Sequence, residues 1–499
     1  MGSMKLSLKS PRPLKDRIPG AAQLRADVLA GLVVALALIP EAISFSLIAG
    51  VDPRVGLYAS FVMAVSIAFL GGRPAMISAA TGAMALVVAP LSMEHGADHL
   101  MAAAVLAGLI QVVLGLLGVS KLMRFVPPSV MTGFVNALAI LIFMSQVPYL
   151  IGFDVPAYAM VAIGLAIIFG FPYLTKAVPA PLVAIVVLTV AAVAMGVSTR
   201  TVGDEGELPD AFPVPLIPDV PFTWDTLVLL APYSLTLALV GLMESLMTAK
   251  LVDDQTETSS DHAREARGQG IANILVGFFG GMPGCAMIGQ TMINVKSGAR
   301  TRLSTFLAGI FLMVLCVVLG DIVGLIPMAA LVAVMVFVSL VTFNWHSIAP
   351  ATLRRMPWTE TLVMAVTVVV VVATHNLALG VIVGVVVSMV LFARKAAVQA
   401  GVTSVLDPEG GTRVYSVNGE VFFASAGELV QRFDYAEEGL RKVVVDMSGA
   451  HVWDSSAVAV LDQVTEHFGR HGVEVEITGL NEPSEQLHKE LSGTLAGGH

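Results

Sequence analysis

The chain has 499 residues, 56% of them hydrophobic and 13% charged, with a mean hydropathy of +0.83. That composition excludes a soluble globular protein and leaves a polytopic α-helical membrane protein. The formal charge of -9 at pH 7 sits mainly in loops and a polar tail, so no nucleic-acid partner is indicated, and two cysteines, Cys285 and Cys316, suggest neither a disulfide framework nor a metal site.

Residues 1–25 are polar and basic without the apolar core of a signal peptide, and read as a cytoplasmic segment. Apolar runs follow at 26–45, 55–71, 78–91, 100–119, 127–147, 157–173 and 180–197. After a polar loop they resume at 225–249, 268–280, 286–296, 303–320, 325–343, 360–375 and 377–395. A helix needs about 20 apolar residues to cross a bilayer, so these are about 14 candidate spans, several too short to cross unaided.

Lys5, Lys9, Arg12, Lys15, Arg17 and Arg25 precede the first span, while Lys121, Arg124, Lys176, Arg354, Arg355, Arg394 and Lys395 follow even-numbered ones. All fall on one side, which positive-inside bias makes the cytoplasm for both termini. The acidic, proline-rich loop from Arg200 to Phe222 falls on the other side and divides the domain 26–400 into halves of about 26–197 and 225–400. An odd number of spans in each half makes them inverted repeats. The third spans echo each other as short segments rich in small residues, "ISAATGAMALVVAP" (Ile77–Pro90) and "GCAMIGQTMINVKSG" (Gly284–Gly298). The fifth spans both open on proline, in "FVPPSVMTG" and "LIPMAALVA". Over residues 401–499, β-branched strands alternate with helical stretches, the pattern of a small soluble α/β domain.

Three stretches are specific: "LIPEAISFSLIAGVDPRVGLYASF" (Leu38–Phe61), "LVGLMESLMTAKLVDD" (Leu239–Asp254) and "VVVDMSGAHVWDSSAVAVL" (Val443–Leu461). Together they resemble the SulP family of anion transporters, the sulfate permeases and their relatives, and among its bacterial members the chain looks most like the proton-coupled fumarate transporters. The resemblance implies seven-plus-seven inverted repeats forming core and gate domains, a cytoplasmic C-terminal STAS domain, a homodimer in the bacterial inner membrane, and a small anionic substrate. Two departures stand out: many relatives carry Gln where this chain has Glu41, and some animal relatives carry a basic residue at Gln290.

The predicted spans hold almost no Lys or Arg except near their ends, so the anion site is expected to be backbone at helix N-termini, where unsatisfied N–H groups and the helix dipole favour negative charge. The resemblance places the N-termini of the two third spans face to face, which assigns Thr81, Gly82, Ala83, Met287, Gly289, Gln290 and Thr291 to the substrate. Small residues also serve close helix packing; the echo across both halves favours a site.

Glu41 and Glu244 are acids inside the first span of each half. A charge at the bilayer centre costs roughly 2.5–3.5 kcal/mol, so such residues face a cavity or the protein interior. Glu41 reads as a proton site whose proton and anion each offset the cost of the other, a reciprocal coupling. Glu244 is either a structural hydrogen-bonding group or, with Ser245 and Thr248, a cavity or second coupling site. In the tail, "DSSAVAVL" places Ser455 and Ser456 where STAS relatives accept phosphate, a candidate regulatory site for a partner protein; the plainer reading is a helix cap.

The expectation is therefore a proton–anion symporter with H+ as coupling ion, no other cofactor, no metal site and no enzymatic activity. Competing readings are a passive anion channel or exchanger, a Na+-coupled bicarbonate transporter, and a nucleobase permease, which the STAS-like tail and Gln290 disfavour.

Overall fold

A computed structural model describes residues 20–119, 121, 126–151, 154–174, 179–197, 199–399, 401–407, 411–437 and 439–493. Lys5, Lys9, Arg12, Lys15, Arg17, Arg124 and Lys176 lie outside the described residues. The chain divides into two compact units, Met1–Val385 and Val386–His499.

The first half of the larger unit comprises α1 (Ala21–Ile48), α2 (Pro53–Leu70), strand β1 (Ser78–Ala80), α3 (Gly82–His95), α4 (Ala97–Leu116), α5 (Pro128–Ile151), α6 (Val155–Gly170) and α7 (Ala180–Met195). After the short helix α8 (Val202–Glu205), the second half comprises α9 (Trp224–Thr256), α10 (His262–Phe278), strand β2 (Gly284–Ala286), α11 (Ile288–Lys296), α12 (Arg302–Val318), the short α13 (Gly320–Gly324), α14 (Met328–Thr342), the short α15 (Pro350–Arg355), α16 (Trp358–Thr374) and α17 (Leu377–Gln399), which runs on into the second unit. A helix thus stands at each predicted span. Among the described residues, seven helices are long and apolar enough to cross a bilayer, with four shorter apolar ones.

The prolines that open the fifth spans fall where their missing N–H is harmless, whereas Pro40, Pro90, Pro148 and Pro232 stand inside α1, α3, α5 and α9. Pro128 opens α5 and Pro327 is the N-cap of α14, both positions without an intrahelical donor to lose. The acidic loop is less irregular than expected. Thr201 caps α8, and its backbone N–H and hydroxyl both donate to the Asp204 carboxylate at 2.9 Å, which holds that acid below its usual range. Val202 N–H donates to Ile326 O at 2.9 Å, tying the loop to the second half.

The third spans differ most from expectation. Each begins as a strand, and β1 and β2 pair antiparallel with Ser78 opposite Ala286 and Ala80 opposite Gly284. Extended backbone at membrane depth has no water to bond, so it persists where buried protein supplies its partners, and all six strand residues are buried.

The smaller unit is a four-stranded sheet with order β3-β4-β5-β6, formed by β3 (Gly401–Leu406), β4 (Thr412–Val421), β5 (Lys442–Val452) and β6 (Glu474–Thr478). The first pair is antiparallel and the other two parallel. Helices α18 (Phe423–Val430), α19 (Ser455–Arg470) and α20 (Glu482–Leu491) complete it, over a core containing Tyr415, Val443, Val445 and Phe468.

Candidate functional site

Polar side chains from neighbouring spans complete the ribbon of β1 and β2. The Asn273 amide accepts from Gly284 N at 2.8 Å and donates to Gly284 O at 3.0 Å, and it also donates to Gln111 Oε1 at 2.9 Å. Ser245 Oγ accepts from Ala286 N at 3.1 Å, and Thr291 Oγ1 accepts from Ile77 N at 2.9 Å. Around it, Glu265 accepts from Gly72 N at 2.7 Å and Arg73 N at 3.0 Å, while Arg73 pairs with Asp253 at 2.8 Å. Asn and Gln are rare in apolar spans, and here they replace the water that an extended chain would otherwise need.

Because the strands run antiparallel, α3 and α11 leave the ribbon at opposite ends and their N-termini point back towards each other. Both line a cavity of about 580 Å³. Thr81 caps α3, accepting from Met84 N at 3.3 Å. Met287, the N-cap of α11, supplies no side-chain bond, so the first N–H groups of that helix are left for an occupant of the cavity. The glycines differ in surroundings. A Cβ at Gly82 would lie 3.0 Å from Phe45 and 3.1 Å from Ile142, whereas at Gly289 it would meet nothing within 4 Å.

Both intramembrane acids reach this cavity. They occupy the same offset from the starts of α1 and α9. Glu41 follows Pro40, and its carboxylate accepts a hydrogen bond from Gln290 Nε2 on α11 of the other half. Glu244 accepts from Cys285 Sγ at 2.9 Å, and that sulfur lies 3.2 Å from Thr81 Oγ1, so it is linked to the cap of α3.

Of the residues read from the sequence, Glu41, Thr81, Gly82, Ala83, Glu244, Met287, Gly289 and Gln290 converge on one cavity. Thr291, Ser245 and Thr248 are not among its lining residues. Thr291 and Ser245 hold ribbon backbone, and Thr248 donates to the Glu244 carbonyl at 2.8 Å within its own helix. Cys285 opens the segment expected to frame the substrate, but its bond to Glu244 was not foreseen, and Asn273 and Lys296 were missed. Asn273 had a signal, an amide inside an apolar run; the Cys285 bond and Lys296 had none in sequence, since their surroundings come from distant segments.

Ser455 and Ser456 lie exposed in the first turn of α19. Asp454 caps that helix, accepting from Ala457 N at 3.0 Å, and also accepts from Phe423 N at 2.8 Å at the start of α18. Among the described residues no group of three or more His, Cys, Asp or Glu is arranged to hold a metal ion.

Two half-helices set nose to nose across a ribbon, with a cavity between inverted repeats, define the fold of a membrane transporter. The chain belongs to the sulfate permease family, whose model matches residues 24–162 and 154–367, and it carries a STAS domain at residues 404–493. It is 54% identical over 469 residues, 94% of this chain and 97% of the relative, to YbaR of Bacillus subtilis (strain 168), which carries the name of a sulfate transporter. It is 27% identical to the bicarbonate transporter BicA of Picosynechococcus sp. (strain ATCC 27264 / PCC 7002 / PR-6), covering 66% of this chain and 64% of that one. Murine Slc26a9, an anion transporter solved in the inward-facing state, superposes with a TM-score of 0.81 at 18% identity, over 96% of this chain and 89% of that one. The protein is a multi-pass anion transporter of this family and not an enzyme.

Proposed function

We propose that the protein is a secondary active transporter carrying a small dicarboxylate such as fumarate together with a proton, by alternating access. The observation that carries this reading is the bond from Gln290 to Glu41, which joins an acid of one repeat to the half-helix of the other inside one cavity. A carboxylate that is costly to charge within the membrane is relieved by a proton, and its neutral form no longer repels an anion at the α11 N-terminus. Proton and anion then bind with positive, reciprocal coupling. The dicarboxylate preference rests on the resemblance to the proton-coupled fumarate transporters.

The cavity is walled by Pro179–Leu182 and by Thr342 and Lys296, near the loops that positive-inside bias assigns to the cytoplasm. This supports an inward-facing state; the charge bias places both termini in the cytoplasm, and the family resemblance is the ground for a homodimer in the bacterial inner membrane. Coupling to Na+ would draw on oxygens of Glu244, Ser245 and Thr248, and dependence of uptake on sodium separates it from proton coupling. Ser455 and Ser456 remain candidates for regulation through the STAS domain.

Glu41→Gln keeps a neutral hydrogen-bonding group, and the protein is expected to fold and lose concentrative fumarate uptake driven by an imposed pH gradient in proteoliposomes. Undiminished concentrative uptake refutes the proton role; a large uncoupled anion current from the wild type would favour a channel.

A further inference from the structure

We infer that Lys296 is the residue that captures the anion at the mouth of the cavity, an inference that rests on the transport reading above. Lys296 ends α11, the helix whose uncapped N-terminus faces the cavity. It lines that cavity, is exposed, and its side chain has neither a hydrogen bond nor an ion pair among the described residues. The other charged side chains of the described lining are Glu41 and Glu244, so Lys296 is the single cation among the described residues there. With two carboxylates behind it, the mouth repels an incoming anion whenever either is charged. One fixed positive charge offsets this.

Gln290 and Lys296 are separated along α11 by about 9 Å at 1.5 Å rise per residue. That lies within the screening length of about 10 Å at 0.1 M salt, so the two ends of the helix act on the same anion in succession. A lysine suits transient capture. Its ammonium is a hydrated point charge on a flexible stem, and it lacks the bidentate fork with which arginine grips a carboxylate. The charge also sets a preference. In water-like dielectric, a unit charge about 9 Å away favours a dianion about 5-fold and a monoanion about 2-fold, before screening.

A lysine in the last turn of a helix also complements the helix dipole. That role would act on stability, with no dependence on the substrate's charge.

The test compares wild type, Lys296→Gln, Lys296→Arg and Lys296→Glu, all full-length. Fumarate and sulfate serve as dianion probes and formate as the monoanion. Apparent Kd is read from thermal shifts in detergent, and KM and kcat from proteoliposome uptake. Both are measured at about 10 mM and about 100 mM ionic strength, where the screening length falls from about 30 to about 10 Å. Lys296→Gln is expected to weaken dianion binding by about 3- to 5-fold at the lower ionic strength, with a smaller loss at the higher and for formate, and kcat within about 2-fold. Arginine should hold KM at or below the wild-type value with the same salt dependence, and glutamate should roughly square the loss. Equal KM and equal salt dependence in Lys296→Gln and Lys296→Glu overturn the capture role, as does a fall in melting temperature and kcat at constant KM. If the wild type takes up none of the probes, the transport reading itself fails and the capture role falls with it.

Discussion

Replacing Gly289 by alanine separates stability from function in opposite directions. Gly289 stands in the first turn of α11, and its missing Cβ points into open cavity, so the methyl group clashes with nothing. Glycine to alanine in a helix stabilises by roughly 0.5–1 kcal/mol, with the lower figure apt for a first turn. The same methyl occupies the space through which an anion approaches the N–H groups. Loss of one hydrogen bond to a charged group costs about 1.5–3 kcal/mol, or about 10- to 150-fold in affinity. Gly289→Ala is therefore expected to melt at or slightly above the wild-type temperature in detergent, while KM for fumarate uptake rises by at least about 10-fold. Gly82→Ala is the contrasting case. Its Cβ would press on the side-chain ends of Phe45 and Ile142 within 3.0–3.1 Å, so those side chains must give and the variant should gain less stability than Gly289→Ala. If Gly289→Ala transports with unchanged KM, the anion does not contact the N-terminus of α11 and the backbone-site argument is wrong.

Three further outcomes follow from the geometry. Asn273→Leu removes both partners that the amide gives Gly284 and the donor it gives Gln111, at about 1–3 kcal/mol for each buried group left unpaired, and should lower the melting temperature about three times as far as Ser245→Ala, which strands one; equal melting of Asn273→Leu and wild type would remove the ribbon's dependence on it. His262, which opens α10, is shifted up by its hydrogen bond to Asp253, so the stability it adds is present below the ordinary imidazole value of about 6.5 and is lost as pH rises through the raised value. Melting temperature should accordingly fall over that range in wild type and fall less in His262→Gln, and identical slopes would rule out His262 as the titrating group. Asp454→Ala should speed amide exchange across 455–470 in the full chain by about 5-fold, the equivalent of about 1 kcal/mol for a lost cap, and unchanged exchange would mean that Asp454 does not hold α19.

The spans were legible because length and hydropathy are local properties. A run such as Leu377–Gln399 has one way to satisfy its backbone in a bilayer, and the echo of small residues in the third spans marked both halves of the site. The strand openings of those spans were not legible. Three residues such as "SAA" or "GCA" carry no period of their own, and their pairing joins segments from opposite repeats.

The sequence by itself determined the membrane class, the repeat and the acids that needed an explanation, since the cost of a polar group in hydrocarbon does not depend on its neighbours. What each polar group does was decided by tertiary structure. Thr291 looked like a substrate ligand and instead holds Ile77, 214 residues away. Gln290, one position earlier, reaches Glu41 across 249 residues. Two adjacent side chains on one helix point in different directions, and which one meets the cavity is fixed by how the opposite repeat packs against it.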